Sequence, residues 1–214
     1  MIGKIYVTGR GCDPVEGKHI KDPHLGKNPS LGACRPDIRR QVQKGDNVFV
    51  VTSKVPGVAQ VVLGGFEVAE KICAMEAYER FPEQHLRKLP DGQVTGNVIV
   101  TANGKQHTLD HHKKETFDQR IENYLVGTNP IALLTLEEIA EGRAQTLDIL
   151  REVFDLKGNS VRDLMGRGRN MTEKQVLKLR ALLDAVKKAA SEPLQLAALT
   201  RGVIVASSAA RVAV

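Results

Sequence analysis

The chain has 214 residues, enough for one substantial core, and its 42% hydrophobic and 26% charged residues are those of an ordinary globular protein. No apolar run approaches a membrane span, the N-terminus lacks the apolar segment of a signal peptide, and three scattered cysteines argue against a disulfide framework, so a cytoplasmic protein with no membrane partner is expected. A net charge of +6 permits a polyanionic partner without requiring one.

Residues 4–8 read as an opening strand, followed by a long irregular segment, 9–33, of the kind that forms binding loops or stays disordered. Pro36 suits the first position of a short helix that Gly45 ends. Ile38 and Val42, one turn apart, would face a core, while Arg39, Arg40 and Gln43 would project outward. With Arg35 these make a guanidinium surface, and guanidinium favours planar pairing with phosphate or carboxylate; the plain alternative is a solvated helix face.

Strands at 48–52 and 58–68 flank the turn Val55-Pro56-Gly57, and Gly64-Gly65 marks a bulge or a close backbone approach. Residues 69–78 fit strand or helix equally. Asn103-Gly104 is the strongest hairpin signal, between strands at 97–101 and 105–109. Phe117, Ile121 and Leu125 give a helix over 116–125, and 124–134 reads as strand around Gly127 and Pro130. Thr135-Leu-Glu-Glu138 is a capping box opening a helix that buries Leu136, Ile139, Leu147, Leu150 and Phe154 and stops at Gly158.

Ser160 and Thr172 start two further helices, separated by a flexible basic link, Gly166-Arg-Gly-Arg169. Val176, Leu179, Leu183 and Val186 form one stripe, for docking on the protein's body or, as a homodimer, on a second copy. Pro193 closes the helical region. The division expected is a barrel-like core over 1–134, a helical segment over 135–192 and a poorly specified tail over 193–214. Strands first and helices last argue α+β, and the absence of GxGxxG and GxxxxGK[ST] glycine loops removes the usual dinucleotide and triphosphate readings.

His107, Asp110, His111 and His112 crowd six residues after the hairpin. Asp110, His111 and His112 are the candidates for acid, base or metal ligand, although adjacent strand residues point to opposite faces and His111 and His112 do not easily share a metal. Cys12, His19, His24 and Cys34 lack the short knuckle of a zinc site, so no metal or cofactor is assigned. Asn123, beside Arg120, and Asn97 carry amides able to read a base edge. Tyr6, Phe49, Phe66, Tyr78 and Tyr124 are candidate stacking surfaces, the phenylalanines reading better as core. There is no Trp.

Leu31-Gly-Ala-Cys34-Arg-Pro36-Asp-Ile-Arg39, Lys44-Gly45-Asp46 and the strand pair ending Gly64-Gly65-Phe-Glu-Val resemble the nucleotide modification associated domain 2 proteins. Phe81-Pro82-Glu-Gln, Gly96-Asn-Val-Ile-Val100, Leu109-Asp-His-His-Lys113 and Arg120-Ile-Glu-Asn-Tyr-Leu-Val-Gly127 look like further blocks of that family. More distantly, the strand pair resembles the PUA-like group (ASCH, EVE and YTH domains). The resemblance implies a partly closed β-barrel with flanking helices and a role connected with DNA base modification. It carries Arg39, Asp110, His111, His112, Arg120 and Asn123 over as pocket residues. The expectation is a nucleic-acid or nucleotide-binding protein that recognises a modified base, with Arg35, Arg39 and Arg40 as phosphate contacts. An acid/base or metal-assisted enzyme acting on such nucleotides is the alternative.

Overall fold

Alternating and continuous apolar runs in the first half of the chain supply strands, and three-and-four spacing in the last third supplies helices. The computed structural model describes the backbone of residues 2–209 and the side chains of residues 2–191. The strands are β1 (Gly3–Val7), β2 (Ser30–Leu31), β3 (Asn47–Val51), β4 (Val62–Ile72), β5 (Arg87–Lys88), β6 (Val94–Thr95), β7 (Tyr124–Ala132) and β8 (Gly168–Met171). The helices are α1 (Pro36–Gln41), α2 (Ala74–Arg80), α3 (Phe117–Ile121), α4 (Leu136–Phe154), α5 (Val161–Met165) and α6 (Glu173–Ala209).

Six strands form one sheet in the order β2-β7-β4-β3-β1-β8, and β5 pairs with β6 apart from it. The sheet is curled into a half-barrel, so the mixed α+β architecture is as the sequence suggests. Only β1 and β3 run parallel, which requires a crossover; residues 8–46 supply it and carry β2 and α1 across one end of the sheet.

Curvature originates in β4, the longest strand, whose register shifts against both neighbours. Gly64 has φ 128°, and a Cβ there would lie 2.0 Å from the Ile131 carbonyl oxygen; at Gly65 it would lie 2.2 Å from that of Val48. Any other residue at these two positions would push β3 or β7 away and flatten the sheet.

The helices cover this sheet. Val176, Leu179, Leu183 and Val186 are all buried and join the same hydrophobic cluster as Ile5, Phe49, Val62, Leu150 and Phe154. Each such side chain contributes about 1.5–3 kcal/mol on burial. Because that stripe packs on the chain's own body, it is not the surface of a homodimer.

Several expectations change. The second half of the basic link, Gly168-Arg169, begins the edge strand β8, antiparallel to β1, with Lys4 and Ile5 paired to Asn170 and Arg169; Gly166 and Arg167 form the turn before it. Leu136 is exposed, since the face of α4 that meets the sheet carries Ile139, Ile149, Leu150 and Val153 instead. The capping box at Thr135 is present, with Glu138 returning to the Thr135 N–H. Residues 69–78 hold both structures, strand to Ile72 and helix from Ala74. The Asn103-Gly104 turn forms, but around a single bridge between Val100 and Gln106 instead of paired strands. Rather than stopping at Pro193, α6 continues to Ala209; proline removes one intrahelical hydrogen bond, and the Ala- and Leu-rich flanks are strong helix formers. The rest of the tail expectation concerns side chains beyond 191 and residues 210–214, outside the described residues.

Candidate functional site

The turn before α1 is held from two sides. On one, buried Asp22 accepts hydrogen bonds from the backbone N–H groups of Gly32 (2.9 Å), Ala33 (2.9 Å) and Cys34 (2.5 Å) and from Asn97 Nδ2 (3.1 Å). Asn97 also donates to Ser30 Oγ (3.0 Å) and accepts from the Tyr124 hydroxyl (2.7 Å).

On the other side lies Arg39, 0% exposed. Its Nε donates to the Cys34 carbonyl (3.0 Å), Nη1 to those of Glu122 and Asn123 (3.2 Å), and Nη2 to those of Ala33 (3.4 Å) and Arg120 (3.1 Å). All the N–H donors of a guanidinium are thereby used. Burial pulls its pKa below the ordinary value while Asp22 opposes that pull, and the charge is retained. Arg39 therefore does not project outward and has no donor left for a phosphate. It ties the Ala33–Cys34 turn to the end of α3.

This clamp fixes Arg35, which caps α1 in the left-handed region at φ 50°. Arg35 pairs through Nε and Nη2 with Asp37 (2.9 and 2.7 Å) and lies over the Tyr6 ring, 5.1 Å from its centre. The salt bridge lowers the Asp37 pKa and raises that of Arg35.

Arg35 forms one wall of a cavity of about 1320 Å³. Tyr6, Asp22 and Cys34 line it together with Thr8, Ser53, His112 and Arg120, and three further cations, Arg10, Lys54 and Arg167, stand around it. These three come from the end of β1, the loop after β3 and the α5–β8 turn, and all are exposed. Among the described residues, none of their side chains has a hydrogen-bonding or ionic partner. Three exposed, unpaired cations at one mouth give it a positive potential, which attracts anions.

Around the Asp22 carboxylate, the inner wall holds a phenol and a thiol. Tyr6 is 1% exposed and its hydroxyl is a buried side-chain polar atom without a partner. Burial first, and then the Asp22 charge, hold its pKa well above the ordinary phenol value, so it remains a donor. Burial and Asp22 likewise push the Cys34 thiol up, which leaves it a thiol and a poor nucleophile. Asp22 itself spends both oxygens on the turn.

His112 faces the cavity in front of buried Asp110. Its Nδ1 donates to Asp110 Oδ1 (2.6 Å), while Gln106 Nε2 donates to Asp110 Oδ2 (2.8 Å). Burial raises the Asp110 pKa, but these bonds outweigh it and leave the carboxyl below the usual range. With Nδ1 committed, Nε2 is the nitrogen available to a ligand.

Of the residues singled out in the sequence, Arg35, His112 and Arg120 share this cavity and Asp110 supports it from behind. Arg40 and His111 are exposed outside its walls, and Asn123 serves through its backbone carbonyl in the turn that Arg39 holds. Asn97 is occupied in the Asp22 network. Phe49 and Phe66 are core, Tyr124 is buried, and Tyr78 stacks on His85 at 3.9 Å. A base in the cavity would thus stack on His112 or on guanidinium planes. Among the described residues, no three His, Cys, Asp or Glu side chains gather as metal ligands, so the loop quartet of Cys12, His19, His24 and Cys34 is not assembled.

Sequence reasoning missed Asp22, Arg10, Lys54 and Arg167. Three consecutive turn N–H groups at 32–34 imply an acceptor, but nothing in the order of residues says which one. No family model, no curated protein and no solved structure matches the chain.

Proposed function

We propose that the protein binds a nucleotide, free or within a nucleic acid, and recognises a modified base on it. In this reading the fold is PUA-like and the chain is a relative of the nucleotide modification associated domain 2 proteins. The observation that carries the reading is the convergence of unpaired Arg10, Lys54 and Arg167 on a hollow large enough for a nucleotide. Phosphate would meet these cations and Arg35. The base would lie against His112 and Arg120.

Calorimetry with deoxynucleoside 5′-monophosphates, unmodified and base-methylated or hydroxymethylated, tests this at low salt. The triple variant Arg10→Ala/Lys54→Ala/Arg167→Ala is expected to lose about tenfold or more in affinity and to flatten the salt dependence. Tyr6→Phe is expected to raise stability by about 1 kcal/mol and leave affinity unchanged, because it deletes a buried hydroxyl that lacks a partner. Absence of binding, or binding indifferent to the triple substitution, overturns the proposal. Equal affinity for modified and unmodified nucleotides removes the modified-base part.

The Asp110–His112 pair favours a second reading, an acid/base enzyme on the same ligand. Nε2 of His112 would take a proton from water or a substrate hydroxyl while Asp110 keeps the ring oriented. In that case His112→Gln abolishes product formation at saturating nucleotide, while affinity falls only by about the tenfold expected from one lost stacking ring. If chromatography finds no product from any nucleotide held at saturation by the unaltered protein, the reading is wrong.

A further inference from the structure

Arg10, Lys54 and Arg167 leave from the same end of three adjacent strands. β1 and β3 run parallel with Val7 beside Val51, and β8 runs back along β1 with Gly168 beside Tyr6. The chain just past Val7, the chain just past Val51 and the chain just before Gly168 therefore lie side by side, at intervals of about 4.8 Å. Hydrogen bonds hold these three exits to one another. The Thr8 N–H donates to the Val51 carbonyl (2.9 Å), and the Val7 N–H to the Arg167 carbonyl (3.1 Å). Ser53, the residue before Lys54, gives its N–H to Thr8 Oγ1 (2.9 Å), and its own Oγ accepts from the Cys12 N–H (2.8 Å), so the loop that carries Arg10 is pinned on both sides. The roots of all three cations are fixed, and their unpartnered side chains line one cavity.

The charge at this row decides how much phosphate suits it. A phosphomonoester brings about 1.5 to 2 negative charges at neutral pH, which leaves about one of the three cations uncompensated. A second phosphate supplies the missing charge, and a third has Arg35 to meet, whose Nη1 is left over after pairing with Asp37. An internal phosphodiester carries a single charge, so a polymer would have to fold three successive nucleotides into one mouth to match what a polyphosphate concentrates at one end of one nucleotide. The phosphates would meet side chains here, not the N–H cradle of a glycine loop, whose sequence signature this chain lacks.

From this we infer that the ligand is a free nucleotide carrying a chain of two or three phosphates. The chain lies across the ends of β3, β1 and β8, where Lys54, Arg10 and Arg167 each take a share of its charge, and the base reaches into the cavity toward His112 and Arg120. The inference rests on the nucleotide-binding reading and specifies its ligand.

The test is calorimetry in EDTA with the mono-, di- and triphosphates of the four common deoxynucleosides, beside a single-stranded oligonucleotide without a terminal phosphate. The diphosphate is expected to bind about tenfold tighter than the monophosphate of the same nucleoside, and the triphosphate at least as tightly as the diphosphate. In Arg10→Ala/Lys54→Ala/Arg167→Ala the three forms should bind within about twofold of one another. Lys88→Ala/Lys105→Ala/Lys174→Ala removes the same charge from exposed residues outside the cavity walls and should keep the preference. Equal affinity for mono- and diphosphate, a preference that the second triple variant removes as fully as the first, or tighter binding of the oligonucleotide than of any triphosphate overturns the inference and leaves nucleotide binding standing. Failure of every nucleotide and of the oligonucleotide to bind overturns the nucleotide reading with it.

Discussion

Replacing Arg39 with methionine is expected to cost more than about 4 kcal/mol of folding stability, a loss that urea denaturation at neutral pH would read directly. Methionine fills much the same volume, so the cost is not a cavity. It is the loss of hydrogen bonds to five carbonyls on two chain segments, at a site 0% exposed. Hydrogen bonds to a charged donor contribute about 1.5–3 kcal/mol each, and carbonyls left buried without a partner add their desolvation cost. Lysine would not rescue the site. A point ammonium with three donors cannot span carbonyls at 33, 34, 120, 122 and 123 as a planar fork does. A loss under about 1 kcal/mol would mean that the carbonyls find water and that the clamp is dispensable.

Asp22→Ala is expected to be comparably severe, and Asp22→Asn nearly so. Four donors converge on the carboxylate: three consecutive backbone N–H groups and the Asn97 amide. An asparagine keeps one acceptor oxygen but turns an NH₂ toward N–H groups, so it satisfies part of the set and repels the rest. Each charge-assisted bond contributes about 1.5–3 kcal/mol, and a loss above about 4 kcal/mol is expected for alanine. Hydrogen exchange at the Gly32, Ala33 and Cys34 amides supplies a local readout. Their protection should vanish in Asp22→Asn even if the barrel core remains protected. Because Asp22 and Arg39 hold the same turn, the double substitution should cost about 1 kcal/mol or more less than the sum of the two. Full additivity would show that the two anchors act independently.

How far the sequence discloses this molecule follows from what each signal depends on. The α6 stripe, the Thr135 capping box and the Pro36 helix rest on local spacing, and all three are present. Arg39 misleads because helical geometry says which way a side chain leaves its own helix, whereas its burial is decided by the α3–β7 turn, more than eighty residues away. The β8 edge strand has no strand-like composition; Gly166 to Arg169 reads as linker, and only pairing with β1 makes its second half extended. Arg35, His112 and Arg120 are legible as candidates by residue type and neighbourhood. Arg10, Lys54 and Arg167 are ordinary surface cations in the sequence and become a group only when three loops meet. The Asp110–His112 pair lies between these cases, near in the chain but oriented by Gln106 from the preceding hairpin.

The anchoring of Gly32–Cys34 has a kinetic corollary. With the wall that carries Arg35 already set before any ligand arrives, little ordering entropy remains to be lost at capture, and arrival need not wait for a slow rearrangement. Encounter would then be governed by diffusion in a positive field and would slow as ionic strength rises, while discrimination among ligands would lie in how quickly each one escapes.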